Sequence, residues 1–400
     1  MCVHPVRCLL SNGVNLWFKK GGVIMRLKYL PLATLVTIFL VSPLFAEEWI
    51  MFRKDALHSG FCNEEVSLPL SLRWKFKTSA EIISSPAVAG GIVYIGSRDS
   101  NLYALDADTG DLRWKFETQG WVDSSPTIVN GVLYVASRGG ELYALNANTG
   151  GLKWKYKTGG TDCSSPLVAE GKVYAGSGYP NKYIYCLDVD TGGLIWKYET
   201  KQYVYSSPAV IGGIVYIGSN DGKFYALDAN TGELKWEFQT EGGIYFSSPS
   251  VMDGVVYGIP GDWDRAVYAL DTQEGEVKWQ YKVEGEGAVY VSSPATSAGV
   301  LYFGSGKGEQ KVYALDINTH KLKWKYTTGE STKQGYTSSP AITNNLLFVG
   351  SGDGKLYALD IESGALKWQY ETKAPIISSP TVANGKVYVG SFDGWIYALW

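Results

Sequence analysis

The chain has 400 residues, with 39 acidic and 36 basic side chains, five cysteines and three histidines. The excess of acid disfavours nucleic acid as a partner, because such binding depends on neutralising phosphates. So few histidines leave little material for a histidine metal cluster or a Ser-His-Asp arrangement, and the sequence has no Cys-x-x-Cys-His haem motif.

Residues 1–46 are predicted to be an N-terminal extension that contains a secretory signal peptide. They carry five basic side chains and no acidic ones. Met25 opens a basic start, which is followed by an apolar run over 29–41, by Pro43 and by the small residue Ala46, an order typical of signal peptides. We therefore expect a start at Met25 and cleavage after Ala46. The alternative is an uncleaved membrane anchor, because the apolar run is near the lower limit for spanning a bilayer.

Export would leave a chain with 31 basic and 39 acidic side chains in the periplasm or at the cell surface. Its cysteines would be Cys62, Cys163 and Cys186. Cys163 and Cys186 fall in the first and third strands of one repeat, which are not neighbours, so we expect buried free thiols rather than a disulfide. The nearest cysteine after the apolar run is Cys62, too far away for a lipoprotein signal.

Residues 47–71 are a lead-in segment, and residues 72–400 contain eight copies of one phrase. The copies are anchored by the tripeptide Ser-Ser-Pro, which recurs at steps of 40 to 46 residues. They start at Ser84, Ser124, Ser164, Ser206, Ser247, Ser292, Ser338 and Ser378. A period near 40 made of short β segments is typical of a β-propeller, in which each four-stranded blade buries its faces against its neighbours. The predicted fold class is all-β, an eight-bladed propeller of antiparallel blades.

Four segments of each repeat are predicted to be strands. In the first repeat, residues 84–89 are small and tolerate β structure, as suits an innermost strand beside a crowded axis. Residues 92–95 and 102–105 are apolar at consecutive positions, as expected of strands covered on both faces. Residues 112–117 alternate between apolar and charged side chains, which indicates an outer strand with one wet face.

The last repeat ends at Trp400 without an outer strand, and a spare copy of that strand stands at residues 72–78, before the first Ser-Ser-Pro. Pairing this strand with the last blade would complete eight blades and leave the ring without an open edge. We therefore predict a closed ring that acts as a monomer.

One tryptophan per repeat occupies an equivalent position of the outer strand. The eight are Trp74, Trp114, Trp154, Trp196, Trp236, Trp279, Trp324 and Trp368. We interpret them as packing wedges between blades, in preference to ligand-stacking rings.

A second set of aromatic residues is predicted to form a binding surface. In propellers, the loop from an outer strand to the next inner strand and the loop between the two middle strands share one face of the disc. The aromatic residues on those loops are Trp121, Tyr179, Tyr203, Tyr205, Tyr245, Phe246, Trp263, Tyr290 and Tyr336. Exposed aromatic rings gathered at one mouth favour recognition, because they supply a large contact area at low entropic cost. The alternative is that each ring folds down over the end of its own blade.

Motifs for catalysis or metal binding are weak in this chain. Turns such as Asp106-x-Asp108-x-Gly110 resemble the start of a calcium loop but lack its distal glutamate, so we interpret them as capped turns. The glycine-rich stretches 304–308 and 350–355 lack the Gly-Lys-Ser/Thr ending of a phosphate loop. We therefore predict no catalytic residues and no metal site.

The phrase A-x-D-x-x-T-G-x-x-x-W, which starts at Ala104 and recurs intact at 226–236, resembles the tryptophan-docking motif of the quinoprotein (PQQ) propeller family. Other repeats carry it with changes, among them Cys186 for alanine and His320 for glycine. The resemblance covers about 330 residues. The resemblance is specific evidence for the fold and weak evidence for any particular activity.

Two branches of that family have different implications. The quinoprotein alcohol and sugar dehydrogenases would imply PQQ, calcium and a catalytic aspartate, but they are much longer and often carry a vicinal cysteine pair, which this chain lacks. The compact exported BamB-like branch would imply a cofactor-free scaffold for protein partners in outer-membrane protein assembly. The segment 49–60 also resembles the lead-in of compact members.

From these observations we predict an exported, non-catalytic scaffold without a cofactor, which binds protein partners and meets the membrane at most through them or through an uncleaved anchor. The alternatives are a PQQ-dependent alcohol or sugar dehydrogenase and a cell-surface glycan-binding propeller.

Overall fold

The computed structural model describes residues 48–400 apart from 161–163, 262–263, 285–291, 307–309 and 330–336, and it also describes the backbone of three short N-terminal strands. The chain divides into two compact units, Met1–Ala46 and Glu47–Trp400. The first unit contains β1 (Arg7–Leu9), β2 (Asn15–Lys19) and β3 (Gly22–Arg26), paired antiparallel in that order. The predicted apolar run 29–41 lies outside the described residues, so signal-peptide processing stays a prediction. The part of the chain that is described contains no helix able to cross a bilayer.

The second unit consists of eight four-stranded antiparallel sheets, which are the blades of a closed β-propeller. The predicted fold class is confirmed. Blade 8 takes its outer strand from the start of the unit, β4 (Leu72–Lys77). Blades 1 and 2 contain β5 (Ala87–Ala89), β6 (Ile92–Gly96), β7 (Asn101–Asp106), β8 (Leu112–Glu117), β9 (Thr127–Val129), β10 (Val132–Ser137), β11 (Glu141–Asn146) and β12 (Leu152–Lys157).

The remaining blades repeat this order from the innermost to the outermost strand. Blades 3 and 4 contain β13 (Leu167–Ala169), β14 (Lys172–Gly176), β15 (Tyr183–Asp188), β16 (Leu194–Glu199), β17 (Ala209–Ile211), β18 (Ile214–Gly218), β19 (Lys223–Asp228) and β20 (Leu234–Gln239). Blades 5 and 6 contain β21 (Ser250–Met252), β22 (Val255–Gly258), β23 (Ala266–Asp271), β24 (Val277–Lys282), β25 (Ala295–Ser297), β26 (Val300–Gly304), β27 (Lys311–Asp316) and β28 (Lys321–Thr327). Blades 7 and 8 contain β29 (Ala341–Ile342), β30 (Leu346–Gly350), β31 (Lys355–Asp360), β32 (Leu366–Glu371), β33 (Thr381–Ala383), β34 (Lys386–Gly390) and β35 (Trp395–Leu399).

The core lies between neighbouring blades. Every residue of β6 is buried, and the middle of β7 is buried too, whereas β8 alternates between exposed and half-buried side chains from Arg113 onward and also exposes Leu112. Tyr94 of blade 1, for example, belongs to the same apolar cluster as Leu133 and Tyr143 of blade 2. This burial matches the sequence pattern, because only the outer strand alternates between apolar and charged residues.

The innermost strands are shorter than predicted, because the Ser-Ser-Pro tripeptide precedes the strand instead of belonging to it. In blade 1 the strand begins at Ala87. The hydroxyl of Ser84 accepts a hydrogen bond from the backbone N–H of Gly96 at 3.1 Å. The N–H of Ser85 donates to Ser125 Oγ in the next blade at 3.0 Å. Before the inner strand begins, serine hydroxyls therefore accept the backbone N–H groups that strand pairing would otherwise satisfy.

The bond between Ser85 and Ser125 belongs to a series that runs around the ring. Further bonds from the N–H of one serine to Oγ of the next start at Ser125, Ser165, Ser207, Ser248, Ser293 and Ser379. The bond from Ser379 to Ser85, at 3.0 Å, joins the last blade to the first. These serines therefore link neighbouring blades as well as fixing each inner strand.

The ring closes as predicted, through β4 and β35. Trp74 lies opposite Ala398 in this pairing, and Leu72 lies opposite Leu399. Ser71 and Trp400 exchange two backbone hydrogen bonds, at 3.2 and 3.1 Å. The two ends of the propeller unit thus share one sheet.

The repeated tryptophans contact the following blade. Trp196 of blade 3 is 8% exposed, and its Nε1 donates to the carbonyl of Ala229 in blade 4 at 3.1 Å. The hydroxyl of Tyr174, also in blade 3, donates to the same carbonyl at 3.1 Å. The same tryptophan bond is made by Trp74, Trp114, Trp154, Trp236 and Trp324. A tryptophan and a tyrosine of one blade therefore share one acceptor on the next.

The lead-in segment runs inside the ring and pairs with innermost strands. Trp49 and Val88 exchange two backbone hydrogen bonds, and Ile128 donates to the carbonyl of Ile50 at 2.7 Å. Further backbone donors to the segment come from Val210, Val251, Thr296 and Ile342. Six of the eight inner strands thus donate to one short stretch, Trp49–Gly60. These bonds satisfy backbone N–H groups on strand edges that would otherwise face the central channel.

Two buried polar side chains fix the lead-in segment across the ring. Arg53 donates to the carbonyls of Pro294 and Pro340 in blades 6 and 7, and burial lowers its pKa to about 9. His58 Nδ1 lies 2.9 Å from the carbonyl oxygen of Pro249, and burial lowers the pKa of the ring to about 3. At neutral pH, Arg53 is therefore charged and His58 is neutral.

Candidate functional site

As expected, the loops from each outer strand to the next inner strand lie on the same face of the disc as the loops between the two middle strands. The N–H of Asn220, between the middle strands of blade 4, donates to the carbonyl of Tyr203, between blades 3 and 4. Arg138 bonds in the same way to Trp121. Carboxylates strengthen the connection, since Asp99 accepts from the N–H of Ser79 at 2.9 Å and from the hydroxyl of Tyr103 at 2.7 Å.

Four of the predicted aromatic residues form one continuous row on this face, hereafter the aromatic row: Tyr179, Tyr203, Tyr205 and Phe246. Their ring centroids are 5.5, 6.0 and 5.6 Å apart in that order. The last two rings are stacked, with 18° between their planes. Tyr179 is 58% exposed and Phe246 is 63% exposed. The row spans the loops of blades 3 to 5 and presents apolar rings to solvent.

Trp121 lies in a separate cluster of charged residues. Its indole is 45% exposed and sits between two guanidinium groups, with Arg98 4.9 Å and Arg138 5.1 Å from the ring centroid. Both arginines also pair with Asp123, at 3.1 and 2.9 Å. The cluster carries one net positive charge.

The other predicted binding residues are not part of the row. Tyr245 is half-buried, and its ring folds back over its own loop, where a side chain on Gly243 would approach it to 2.9 Å. Trp263, Tyr290 and Tyr336 lie outside the described residues.

A cavity of about 390 Å³ opens at the centre of the same face. Phe52 of the lead-in segment contributes to its lining, as do Arg98, Asp123 and Arg138. The second serine of seven Ser-Ser-Pro copies also lines it: Ser85, Ser125, Ser165, Ser207, Ser248, Ser339 and Ser379. Six of these hydroxyls accept a backbone N–H from the neighbouring blade, namely those of Ser85, Ser125, Ser165, Ser207, Ser248 and Ser339. A serine hydroxyl that accepts a hydrogen bond still has its own proton to donate. Such a wall suits anionic or oxygen-rich groups.

The described cavity does not fit the quinone site of a dehydrogenase. Such a site would need calcium, which prefers several carboxylate and carbonyl ligands. Asp123 is the one acid among the described lining residues, and both of its oxygens face arginines. Within the described residues no cluster of three His, Cys, Asp or Glu side chains could hold a metal ion. Cys62 and Cys186 are buried thiols that form neither a disulfide nor a vicinal pair, and Cys163 lies outside the described residues.

The turns that resemble calcium loops are capped by their own aspartates. Asp106 Oδ1 accepts from the N–H of Asp108 at 2.9 Å and of Thr109 at 3.0 Å. A hydrogen bond from Arg113, together with these N–H groups, lowers the pKa of Asp106 to about 2. The carboxylate thus closes its own turn.

Sequence reasoning missed the charged cluster and the role of the lead-in segment. Arg98 and Arg138 occupy equivalent positions after the second strand of blades 1 and 2, where the other blades carry no arginine. That departure from the repeat was the available signal. The sequence offers no comparable signal for the path of residues 49–60, since they do not repeat.

The closed ring of eight docked blades defines a PQQ-like β-propeller. The family model described as outer membrane protein assembly factor BamB matches residues 119–179, 180–336 and 308–399. The chain therefore belongs to the BamB family. No curated protein sequence matches the chain significantly.

Solved structures with the same fold include both branches considered from the sequence. BamB from Moraxella catarrhalis is 21% identical, with a TM-score of 0.68, over 83% of this chain and 98% of that one. Quinohemoprotein alcohol dehydrogenase from Comamonas testosteroni is 16% identical, with a TM-score of 0.76, over 88% and 80%. The computationally designed Ika8 protein is 17% identical, with a TM-score of 0.67, over 81% and 97%. At these identities the likeness establishes the fold alone.

Proposed function

We propose that the chain is an exported, non-catalytic scaffold of the cell envelope, which binds a protein partner through the aromatic row and contributes to outer-membrane protein assembly. The observation that carries this proposal is the continuity of four aromatic rings on one face, two of them more than half exposed. Membership of a family described as an outer membrane protein assembly factor supports the process.

The physical argument for a protein partner rests on the shape and chemistry of the row. Aromatic rings concentrate binding energy when a partner removes them from water, and adjacent rings form a contact surface that needs little ordering. The absence of a second carboxylate beside Asp123 in the described cavity supports a role without calcium-dependent quinone chemistry. Export is supported by the basic start, apolar run and small residue at 25–46.

Site-specific photo-crosslinking in native envelopes tests the proposal. A photoreactive side chain at Phe246 should give a crosslink to an outer-membrane assembly component, identified by mass spectrometry. The same group at Ile211, which is exposed at the opposite end of blade 4, is the matched control and should give none. Phe246→Ala should weaken binding of the crosslinked partner by about 1–2 kcal/mol.

Two outcomes would overturn the scaffold role. A stoichiometric cofactor spectrum after incubation with PQQ and calcium, together with dye-linked oxidation of an alcohol or sugar, would make the chain a dehydrogenase. Glycan binding that is lost on replacing Trp121 or Trp263 would make it a sugar-binding propeller. Equal crosslinking from Phe246 and Ile211 would remove the aromatic row as the contact surface.

A further inference from the structure

One outer strand departs from the other seven at a position that is otherwise always basic. The second residue of the outer strand phrase is Arg73, Arg113, Lys153, Lys235, Lys278, Lys323 or Lys367 in seven blades. In blade 3 it is Ile195. Basic residues on exposed edge strands oppose pairing with other chains. Blade 3 is therefore the one blade with no basic residue at this position; its strand keeps Lys197 further along, with the ammonium group 4.5 Å from the ring centroid of Tyr183.

The departure creates an apolar pair on the surface. Leu194 is 45% exposed and Ile195 is 42% exposed. Both lie at the start of β16, which is the last strand of its sheet and, within the described part of the chain, has no strand on its outer side. Ile195 is the extra residue of a bulge and has no partner on β15. A further strand could therefore pair regularly only beside Trp196–Glu199.

The same departure leaves a carboxylate without its cation. In four other blades the basic residue pairs with Oδ2 of the turn aspartate, as Arg113 does with Asp106 at 2.7 Å and Lys278 with Asp271 at 2.8 Å. In blade 3, Oδ1 of Asp188 accepts from the N–H of Asp190 and from Thr191. No described basic residue forms an ion pair with Asp188.

From these observations we propose that the outer edge of blade 3 binds an extended segment of a partner protein, in which an aliphatic side chain stands next to a lysine or arginine. The segment adds a strand beside Trp196–Glu199, its aliphatic side chain covers Leu194 and Ile195, and its basic side chain reaches Asp188 Oδ2. This edge is separate from the aromatic row, and the proposal does not depend on the row.

Charge complementarity selects this occupant. The turn of blade 3 presents Asp188 and the exposed Asp190, so an acidic or neutral segment would leave both uncompensated. A basic segment supplies the cation that four other blades supply for themselves. The main-chain bonds give affinity, and the paired side chains give specificity.

Fluorescence anisotropy with labelled seven-residue peptides tests the proposal on the full chain. A peptide of alternating valine and lysine should bind, and its glutamate counterpart should not. A version N-methylated at alternate residues should also fail, because it lacks the N–H groups that pair with a strand edge. Ile195→Lys should weaken binding of the valine–lysine peptide by about tenfold or more, because it places like charge against the peptide.

Matched variants separate this edge from the rest of the molecule. Ile195→Lys installs the residue type of the other blades, so its Tm should equal that of the unsubstituted chain. Asp188→Asn should weaken peptide binding about two- to fivefold, as for an exposed ion pair. The affinity for the valine–lysine peptide should be unchanged by Lys235→Arg, at the equivalent position of blade 4, and by Phe246→Ala, in the aromatic row.

Three results would overturn the proposal. Equal binding by the unsubstituted chain and Ile195→Lys would remove the edge as the site, and equal binding of the N-methylated peptide would remove strand pairing. A dimer in light scattering that Ile195→Lys converts to a monomer would assign the edge to a second copy of this chain.

Discussion

At the residue scale, the ring is held by one contact that recurs at most of the interfaces between blades. The glycine of each docking turn has a positive φ and faces the tryptophan of the preceding blade. A side chain at Gly232 would approach Cδ2 of Trp196 to 2.7 Å. Blade 6 replaces the glycine with His320, whose ring stacks on Trp279 at 5.0 Å with 25° between the planes. The position therefore accepts a flat ring that lies along the indole.

Two glycine substitutions separate the contact from the backbone. Gly232 and Gly213 share a φ of +74°, but nothing lies within 4 Å of a side chain at Gly213. Gly213→Ala should therefore lower the free energy of unfolding by about 1–2 kcal/mol, which is the penalty for placing alanine in the left-handed conformation. Gly232→Ala should cost about 1–3 kcal/mol more, because it also displaces Trp196. Urea unfolding of both variants measures the difference, and equal losses would contradict a tight docking contact.

At the element scale, the lead-in segment acts as an inner brace. Arg53, Lys54 and His58 adopt positive φ values of 61°, 79° and 56° without being glycines. Such conformations persist when the surroundings fix them. Here the inner strands and the buried side chains of Arg53 and His58 do so. The segment and the blades therefore constrain each other.

The buried histidine should make stability depend on pH. Burial lowers the pKa of His58 from 6.5 to about 3 in the folded chain, so between these values the unfolded chain binds a proton that the folded chain excludes. The contribution of His58 is complete above pH 6.5 and is lost as the pH falls toward 3.

Urea unfolding between pH 7 and pH 4 should show this loss. His58→Asn keeps a donor for the carbonyl of Pro249 and tolerates the positive φ, and it should lose stability less steeply than the unsubstituted chain. Identical slopes in the two chains would mean that His58 titrates normally.

At the scale of the whole molecule, closure makes the blades interdependent. Each blade buries its middle strands only against its neighbours, and β4 completes the last blade. Removing residues 72–78 should therefore abolish the cooperative unfolding of the ring, because it exposes one edge and undocks Trp74 from blade 1.

Tryptophan fluorescence and circular dichroism measure that cooperativity. In the unsubstituted chain the two transitions should coincide, and in the deletion variant they should separate. A chain that begins at Met25 and keeps residues 72–78 is the control. A deletion variant that still unfolds in one transition, with only a lower midpoint, would indicate an array whose units do not depend on closure.

The blade pattern was predictable from the sequence because its determinants are local and repeated. Glycine, tryptophan and Ser-Ser-Pro each have a fixed place in a unit of about 40 residues. The cluster around Asp123 was not predicted, because it joins Arg98 and Arg138 from successive blades and its members do not repeat. The lead-in path was not predicted either, since its partners include backbone groups far along the chain, such as the N–H of Gly385, which donates to Glu64 from 321 residues away.

The lead-in segment also contributes to the wall of the central cavity, through Phe52. The stacked rings of Tyr205 and Phe246, which belong to the aromatic row, line the same cavity. A protein bound to the aromatic row would therefore cover part of the cavity, and its dissociation would be coupled to the release of any small molecule held there.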